Sequence, residues 1–315
     1  QINTDSISTE ISSLAHKTID ISKLNDLNTL NKIRQFNLDI MIDIMGYTSR
    51  NRIGLFKNRV AKKQVLWLGY CNTIGLKNMD YIIADRNLIY ENEKDLYSEK
   101  VIYLPEIWNT HCGFDFKRKE AAPPLIKNNY ITFGSFNNPA KINENVIDCW
   151  SNILKKVKDS KLIIKCSDDK KKFDRIESLM KKKGVLDSVI FHKSLENKKD
   201  HLNLYNEIDI ALDTFPYNGV TTSFEAIWMG VPVLTMTGYN FNSRCGESIN
   251  KNLKMEQLIA KNEEEYISKA VNLSSDREKF MNLRKSIFKD ALQSPLFNQE
   301  NFSKFFFEAL EEIID

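Results

Sequence analysis

Short apolar runs alternate with amphipathic stretches along most of this chain, and that alternation predicts its elements. Leu24–Gln35 reads as a helix, and Ile40–Met45 as a buried strand ending at Gly46. Val65–Leu68 is a second apolar run, closed by Gly69, and Tyr81–Ala84 and Val101–Leu104 are further strands. Each run is short and followed by turn or cap residues, as buried parallel strands are. Residues 112–129 lose the pattern and carry Pro123 and Pro124, so an interdomain linker is expected there, with 116–129 as its core. A second alternating region follows. Strand Ile131–Phe136 leads to a helix from about Glu144, and strand Leu162–Lys165 to a helix ending at Gly184. Strand Val189–Phe191 leads to a helix near Asp200–Glu207, and Ile208–Leu212 to one starting near Thr222. Val231–Thr235 is the next strand; beyond Arg244 the chain turns helical and ends on Asn298–Ile314.

Strand–helix alternation at this spacing predicts α/β architecture with parallel, doubly wound sheets. The expected domains are 1–115, 130–293 and a C-terminal helix over 294–315 that packs back on the first domain. Two such domains place a ligand near the carboxyl ends of their strands. Sugar transferases, binding proteins and dehydrogenases share that plan, so fold alone leaves the activity open.

Composition removes several alternatives. Net charge is only +3, and the basic runs Lys170–Lys172 and Lys181–Lys183 flank a predicted helix as a solvated face. No nucleic-acid partner is expected. The five cysteines, Cys71, Cys112, Cys149, Cys166 and Cys245, are odd in number, widely spaced and form no CxxC pair. That argues for a reducing compartment and against a disulfide framework. No run approaches the ~18 apolar residues of a membrane span, and no signal peptide is visible. The expectation is a soluble, cytoplasmic protein.

Three stretches carry candidate chemistry. In LDTFPYNGVTTSFEAIWMGVP (212–232) a strand ends at Asp213 and a helix begins at Thr221-Thr222. Two hydroxyls with the free amides of a helix start would cradle phosphate. Glu225, one turn in, could accept from ribose hydroxyls. An ordinary helix with a threonine N-cap fits the same residues equally well. In FGSFNNPAKI (133–142) a strand delivers Asn138 and Lys141 to the same rim, where a lysine could neutralise a leaving diphosphate; a surface lysine is the plainer alternative. Lys198 and His201 could face a base or its phosphate, or stand at an exposed helix start. His16, His111 and His192 show no metal-ligand spacing. Asp-x-Asp is absent, and Asp168-Asp169 runs into three lysines, so no metal is expected. GxGxxG and GxxxxGK[ST] are absent too.

Five blocks in order resemble the catalytic region of O-linked N-acetylglucosamine transferases and SPINDLY-like proteins. They are WLGYCNTIGLKNMDYIIAD (67–85), YSEKVIYLPE (97–106), FGSFNNPAKI, LDTFPYNGVTTSFEAIWMGVPVLTMTG and SPLFN (294–298). The resemblance runs over nearly the whole chain from about Ile40. It implies a GT-B architecture of two Rossmann-like lobes, the donor being held mainly by the C-terminal one. The implied activity is inverting, metal-independent and cofactor-free transfer of a sugar, GlcNAc from UDP-GlcNAc first among candidates, to Ser/Thr hydroxyls of a protein. GDP-fucose or UDP-glucose as donor, or a non-catalytic nucleotide-sugar-binding piece, are the alternatives. By motif position Lys141 matches the catalytic lysine on the donor diphosphate and Asn138 the polar residue beside it. Thr221 and Thr222 match phosphate-contacting threonines, Glu225 the ribose-binding acid, Lys198 and His201 the residues around the base. Tyr47, Gly69 and Thr73 match cleft-lining positions of the N-terminal lobe. Two departures stand out: GYCNTIG carries Cys71-Asn72 in place of Pro-Gly, and Leu204-Tyr205 stand where an arginine often follows the histidine. The family's proton-handling segment and tetratricopeptide repeats are expected upstream, which makes the N-terminal lobe incomplete.

Overall fold

The computed structural model describes residues 5–116, 118, 121–166, 170–195 and 197–314. Asp168 and Asp169 lie outside the described residues. The chain divides into two compact units. The first comprises Gln1–Ile83, Asp95–Val101 and Glu312–Asp315, and the second Ala84–Lys94 and Ile102–Glu311.

Helices α1 (Ser6–Leu14) and α2 (Asp26–Arg34) precede a four-stranded sheet of β1 (Ile40–Asp43), β2 (Lys63–Leu66), β3 (Tyr81–Asp85) and β4 (Lys100–Leu104), in the order β1-β2-β3-β4. β1 pairs with β2, and β2 with β3, in parallel. Asn25 caps α2 by accepting from the Asn28 N–H. Val65, Leu66, Ile82, Ile83 and Ala84 are buried, as continuous apolar runs in a parallel sheet require.

The compact division differs from the boundaries read in the sequence. Ala84–Lys94 belongs with the second unit. There buried Asp85 accepts from Ser248 Oγ (2.5 Å) and the Trp108 N–H (3.1 Å), and the Arg244 guanidinium grips Glu93 through two nitrogens. The expected linker also contains structure, helix α3 (Pro124–Asn128).

The second unit then runs β5 (Thr132–Ser135), α4 (Glu144–Lys156), β6 (Lys161–Lys165), α5 (Lys170–Lys182), β7 (Val189–His192), α6 (Lys198–Leu204), β8 (Ile210–Leu212), α7 (Thr221–Trp228) and β9 (Val233–Met236). α8 (Cys245–Asn252), β10 (Ile259–Ala260), α9 (Glu263–Ser275), α10 (Arg277–Leu292) and α11 (Gln299–Glu311) complete it. Its six strands lie in the order β10-β9-β8-β5-β6-β7, every neighbouring pair parallel. α4 shows how the local sequence builds it. Asn143 accepts from the Val146 N–H, and Val146, Ile147, Trp150, Ile153 and Leu154 form one buried stripe at helical spacing. No described helix is long and apolar enough to cross a membrane.

Candidate functional site

Strand order in the six-stranded sheet reverses between β5 and β8, which are neighbours although two other strands separate them in sequence. Ligands of open α/β sheets bind outside the carboxyl ends of the strands at such a switch point. Residues 136–143 leave the end of β5 and residues 213–220 the end of β8, and these are the two segments carrying FNNPAKI and DTFPYNGV.

One buried carboxylate organises both. Asp213 Oδ1 accepts from the Gly219 N–H (2.7 Å), the Thr214 N–H (2.9 Å) and Asn137 Nδ2 (3.2 Å), while Oδ2 accepts from Thr235 Oγ1 (2.8 Å). Complete burial pushes the Asp213 carboxyl up to about 6, against these hydrogen bonds and the charge of Lys141. A Cβ at Gly219 would stand 2.7 Å from Asn137 Oδ1 and 3.2 Å from Asp213 Oδ1, so any larger residue would have to displace the pair that pins the loop. Asn218, fully buried, donates to Thr214 O and accepts from the Gly246 N–H. Its carbonyl accepts from Lys141 Nζ at 2.7 Å, and the same ammonium lies 3.9 Å from the Tyr217 ring centre. Lys141 is therefore held by the loop that runs into α7. Exposed Asn138 accepts from the Ala140 N–H beside it.

α7 starts at Thr221, with Val220 as its N-cap residue and no side-chain cap. The threonine N-cap admitted by the sequence is thus corrected: Thr221 and Thr222 are the first two helical residues. Among the described residues their amides and hydroxyls have no hydrogen-bond partner, whereas the Ser223 and Phe224 amides bond Val220 O. Four donors at a helix start beside a lysine suit a phosphorylated ligand.

One turn along α7, Glu225 is occupied within the protein. Its Oε2 accepts from the Tyr205 hydroxyl (3.0 Å) and lies 3.0 Å from His201 Nε2. Burial would raise this carboxyl, but His201, Tyr205 and the charge of Lys165 hold it below the usual range. Lys165 ends β6, with Nζ 3.4 Å from His201 Nδ1 and 3.5 Å from Nε2. Burial lowers the lysine, and Glu225 opposes that shift. Leu204 is buried, so the cation beside His201 comes from β6 instead of α6. Lys198 is exposed, its Nζ 5.2 Å from the Phe114 ring centre. His111, which showed no pattern in the sequence, stacks on Phe114 at 4.3 Å, and its Nδ1 is buried without a partner among the described residues. Its ring is harder to protonate because of burial and the charge of Lys198.

Tyr47, Gly69 and Thr73 belong to the first unit, in the segments after β1 and β2. The Tyr47 hydroxyl donates to Ile74 O at 2.7 Å. A Cβ on Gly69 would stand 2.0 Å from Ile44 O, so that close approach demands glycine. Thr73 Oγ1 donates to Glu99 Oε2 at 2.7 Å, and the other oxygen of this buried carboxylate accepts from the Ile74 N–H at 3.0 Å. Thr73 thus shapes its loop before it meets any ligand. Among the described residues no three His, Cys, Asp or Glu gather as a metal-holding group.

Comparison with known proteins places this geometry in a lineage. The family model described as Glycosyl transferase family 41 matches residues 3–113 and 123–306. A tomato (Solanum lycopersicum) protein, "Probable UDP-N-acetylglucosamine--peptide N-acetylglucosaminyltransferase SPINDLY", is 35% identical over 292 residues, covering 90% of this chain and 31% of the relative. The Arabidopsis thaliana protein of that name is 33% identical over 293 residues, again 90% of this chain and 31% of the relative. The chain thus spans about a third of the length of these curated relatives. Among solved structures, an O-GlcNAc transferase of Thermobaculum terrenum superposes with TM-score 0.89 at 28% identity, over 98% of this chain and 58% of that one.

Proposed function

The chain belongs to glycosyl transferase family 41 and has its GT-B architecture, and we propose that its six-stranded unit holds the nucleotide end of a sugar donor for transfer to a protein hydroxyl. UDP-GlcNAc is the donor favoured by the names of the relatives, and Ser/Thr side chains are the acceptors. The observation that carries this reading is the gathering of Lys141 and the unpartnered donors of Thr221 and Thr222 at the switch point of the sheet.

In the proposed reaction the acceptor oxygen bonds to the anomeric carbon as the bond from that carbon to the diphosphate oxygen breaks. The bonding electrons leave with the diphosphate, and the hydroxyl proton passes to a base. Attack opposite the leaving group inverts the anomeric centre. Charge grows on the diphosphate as the bond breaks, so Lys141 and the α7 start stabilise the transition state more than the ground state. Those groups supply the neutralisation without a metal. At the other end Glu225, kept ionised, accepts from ribose hydroxyls through its remaining oxygen, and Lys198 and His201 flank the base. Asn138 stands beside the diphosphate.

The test is sugar transfer by the full-length protein to a Ser/Thr peptide from UDP-GlcNAc, UDP-glucose and GDP-fucose, each in excess EDTA. Turnover from UDP-GlcNAc is expected, with Lys141→Ala slower by about 10²–10³-fold. Activity of that variant within a few-fold of the parent would contradict the assignment. A strict requirement for Mn²⁺ or Mg²⁺ would contradict the proposed neutralisation.

A further inference from the structure

Among the described residues, Lys165 meets only the His201 ring at hydrogen-bonding range through its ammonium. It ends β6, next to β5 at the switch point, and faces His201 and, at longer range, Glu225. An ammonium brings three donors, yet its contacts with His201 are 3.4 and 3.5 Å, longer than ordinary N–H hydrogen bonds. Near-equal distances to both ring nitrogens place the ammonium off the lone pair of either one. Nε2 is in addition engaged by Glu225 at 3.0 Å. Among the described residues no carboxylate lies within ion-pair distance of Lys165 Nζ. Lys165 is half-buried, so an acceptor brought by a ligand would offset part of the desolvation of its ammonium.

We propose that Lys165 recognises the base of the donor nucleotide by donating to a carbonyl oxygen on its edge. This rests on the reading that the switch point of the six-stranded sheet holds a nucleotide. The neighbours decide which part of the ligand reaches Lys165. Lys141 and the α7 start attract phosphate, Glu225 takes ribose hydroxyls, and a cation beside His201 is left for the base. Uracil and guanine both present carbonyl oxygens to such a donor; adenine has none. Lys165 therefore selects uracil- or guanine-bearing donors over adenine-bearing ones, whichever sugar they carry.

Calorimetry on the chain with UDP, GDP, ADP and pyrophosphate tests this. The parent should bind UDP or GDP at least tenfold more tightly than ADP. Lys165→Met should weaken that preferred nucleotide by about 10–100-fold, the usual range for a hydrogen bond to a charged group. ADP and pyrophosphate should change less than twofold, and Lys165→Arg should keep most of the preference. If Lys165→Met does not fold, Lys165→Gln carries the same comparison, with an intermediate loss expected. Unchanged selectivity in a folded Met or Gln variant overturns the inference and leaves the donor site standing. A parent chain that binds none of the nucleotides overturns both.

Discussion

Two loops, one in each unit, are pinned by buried carboxylates, and they differ in what the pinning leaves over. In the first unit Glu99 takes the Thr73 hydroxyl and the Ile74 N–H, and Tyr47 bonds the Ile74 carbonyl. The loop after β2 is thereby fixed, and its threonine is used up in fixing it. In the second unit Asp213 takes two backbone N–H groups, an amide and a hydroxyl, all within the scaffold. Thr221 and Thr222, just beyond that loop, keep their donors unpartnered among the described residues, and Lys141 is drawn to Asn218 O. In the first unit the loop's hydroxyl is thus spent on shape, while in the second a buried acid sets the shape and the hydroxyls and amides of Thr221 and Thr222 stay unpartnered among the described residues.

The comparison breaks first at the two acids. Asp213→Ala strands buried donors that had a charged acceptor, so it should cost about 3–4 kcal/mol of stability. Asp213→Asn should cost much less, since the amide oxygen can face the backbone donors while the nitrogen meets Thr235 Oγ1. Glu99→Ala should cost about 1–2 kcal/mol, with fewer donors stranded. Denaturant titration of the three variants orders them; equal losses for Asp213→Ala and Glu99→Ala would remove the distinction.

A smaller effect sharpens it through pH. Burial pushes Asp213 and Asp85 up to about 6, against an ordinary value of 3.8 in the unfolded chain. Each is harder to ionise folded than unfolded, so the share of stability that each contributes is fully present below about pH 4, is lost as pH rises toward 6 and then levels. The fall is at most roughly 3 kcal/mol per group. Asp213→Asn should remove its share of the slope between pH 4 and 6, and an unchanged slope would show that Asp213 is not its source.

Much of this fold was legible because buried parallel strands announce themselves as β-branched runs. Val65–Leu66, Leu162–Lys165 and Val189–Phe191 fall inside strands of the structure. Two segments were not legible. α3 lies in a Pro-rich stretch whose helix is fixed by buried Asp209, which accepts from the Leu125 and Thr132 N–H groups. Ala84–Lys94 joins the second unit through partners such as Ser248 and Arg244, far along the chain. The site divides in the same way. Lys141, Thr221, Thr222 and Glu225 were visible because each sits at a fixed offset from a strand end or helix start. Lys165 and His111 were not: the partners of Lys165 lie 36 residues away on α6, and His111 stacks on Phe114 within a stretch of no regular pattern. Asp213 was read only as the end of a strand; an aspartate directly after an apolar run, as in LDTF, is the one local signal that could have singled it out.

Nucleotide affinity of the Thr221→Val/Thr222→Val double variant, read by calorimetry with uridine, UMP and UDP, bears most directly on the switch-point site. Valine keeps the shape of threonine and removes only the hydroxyls that would meet phosphate. UDP should weaken by about 1–3 kcal/mol, roughly 5–150-fold, because phosphate oxygens lose their partners. Uridine should change little, and Glu225→Gln should weaken uridine and UDP alike. Unchanged UDP affinity in the double valine variant would place the diphosphate elsewhere and contradict the site.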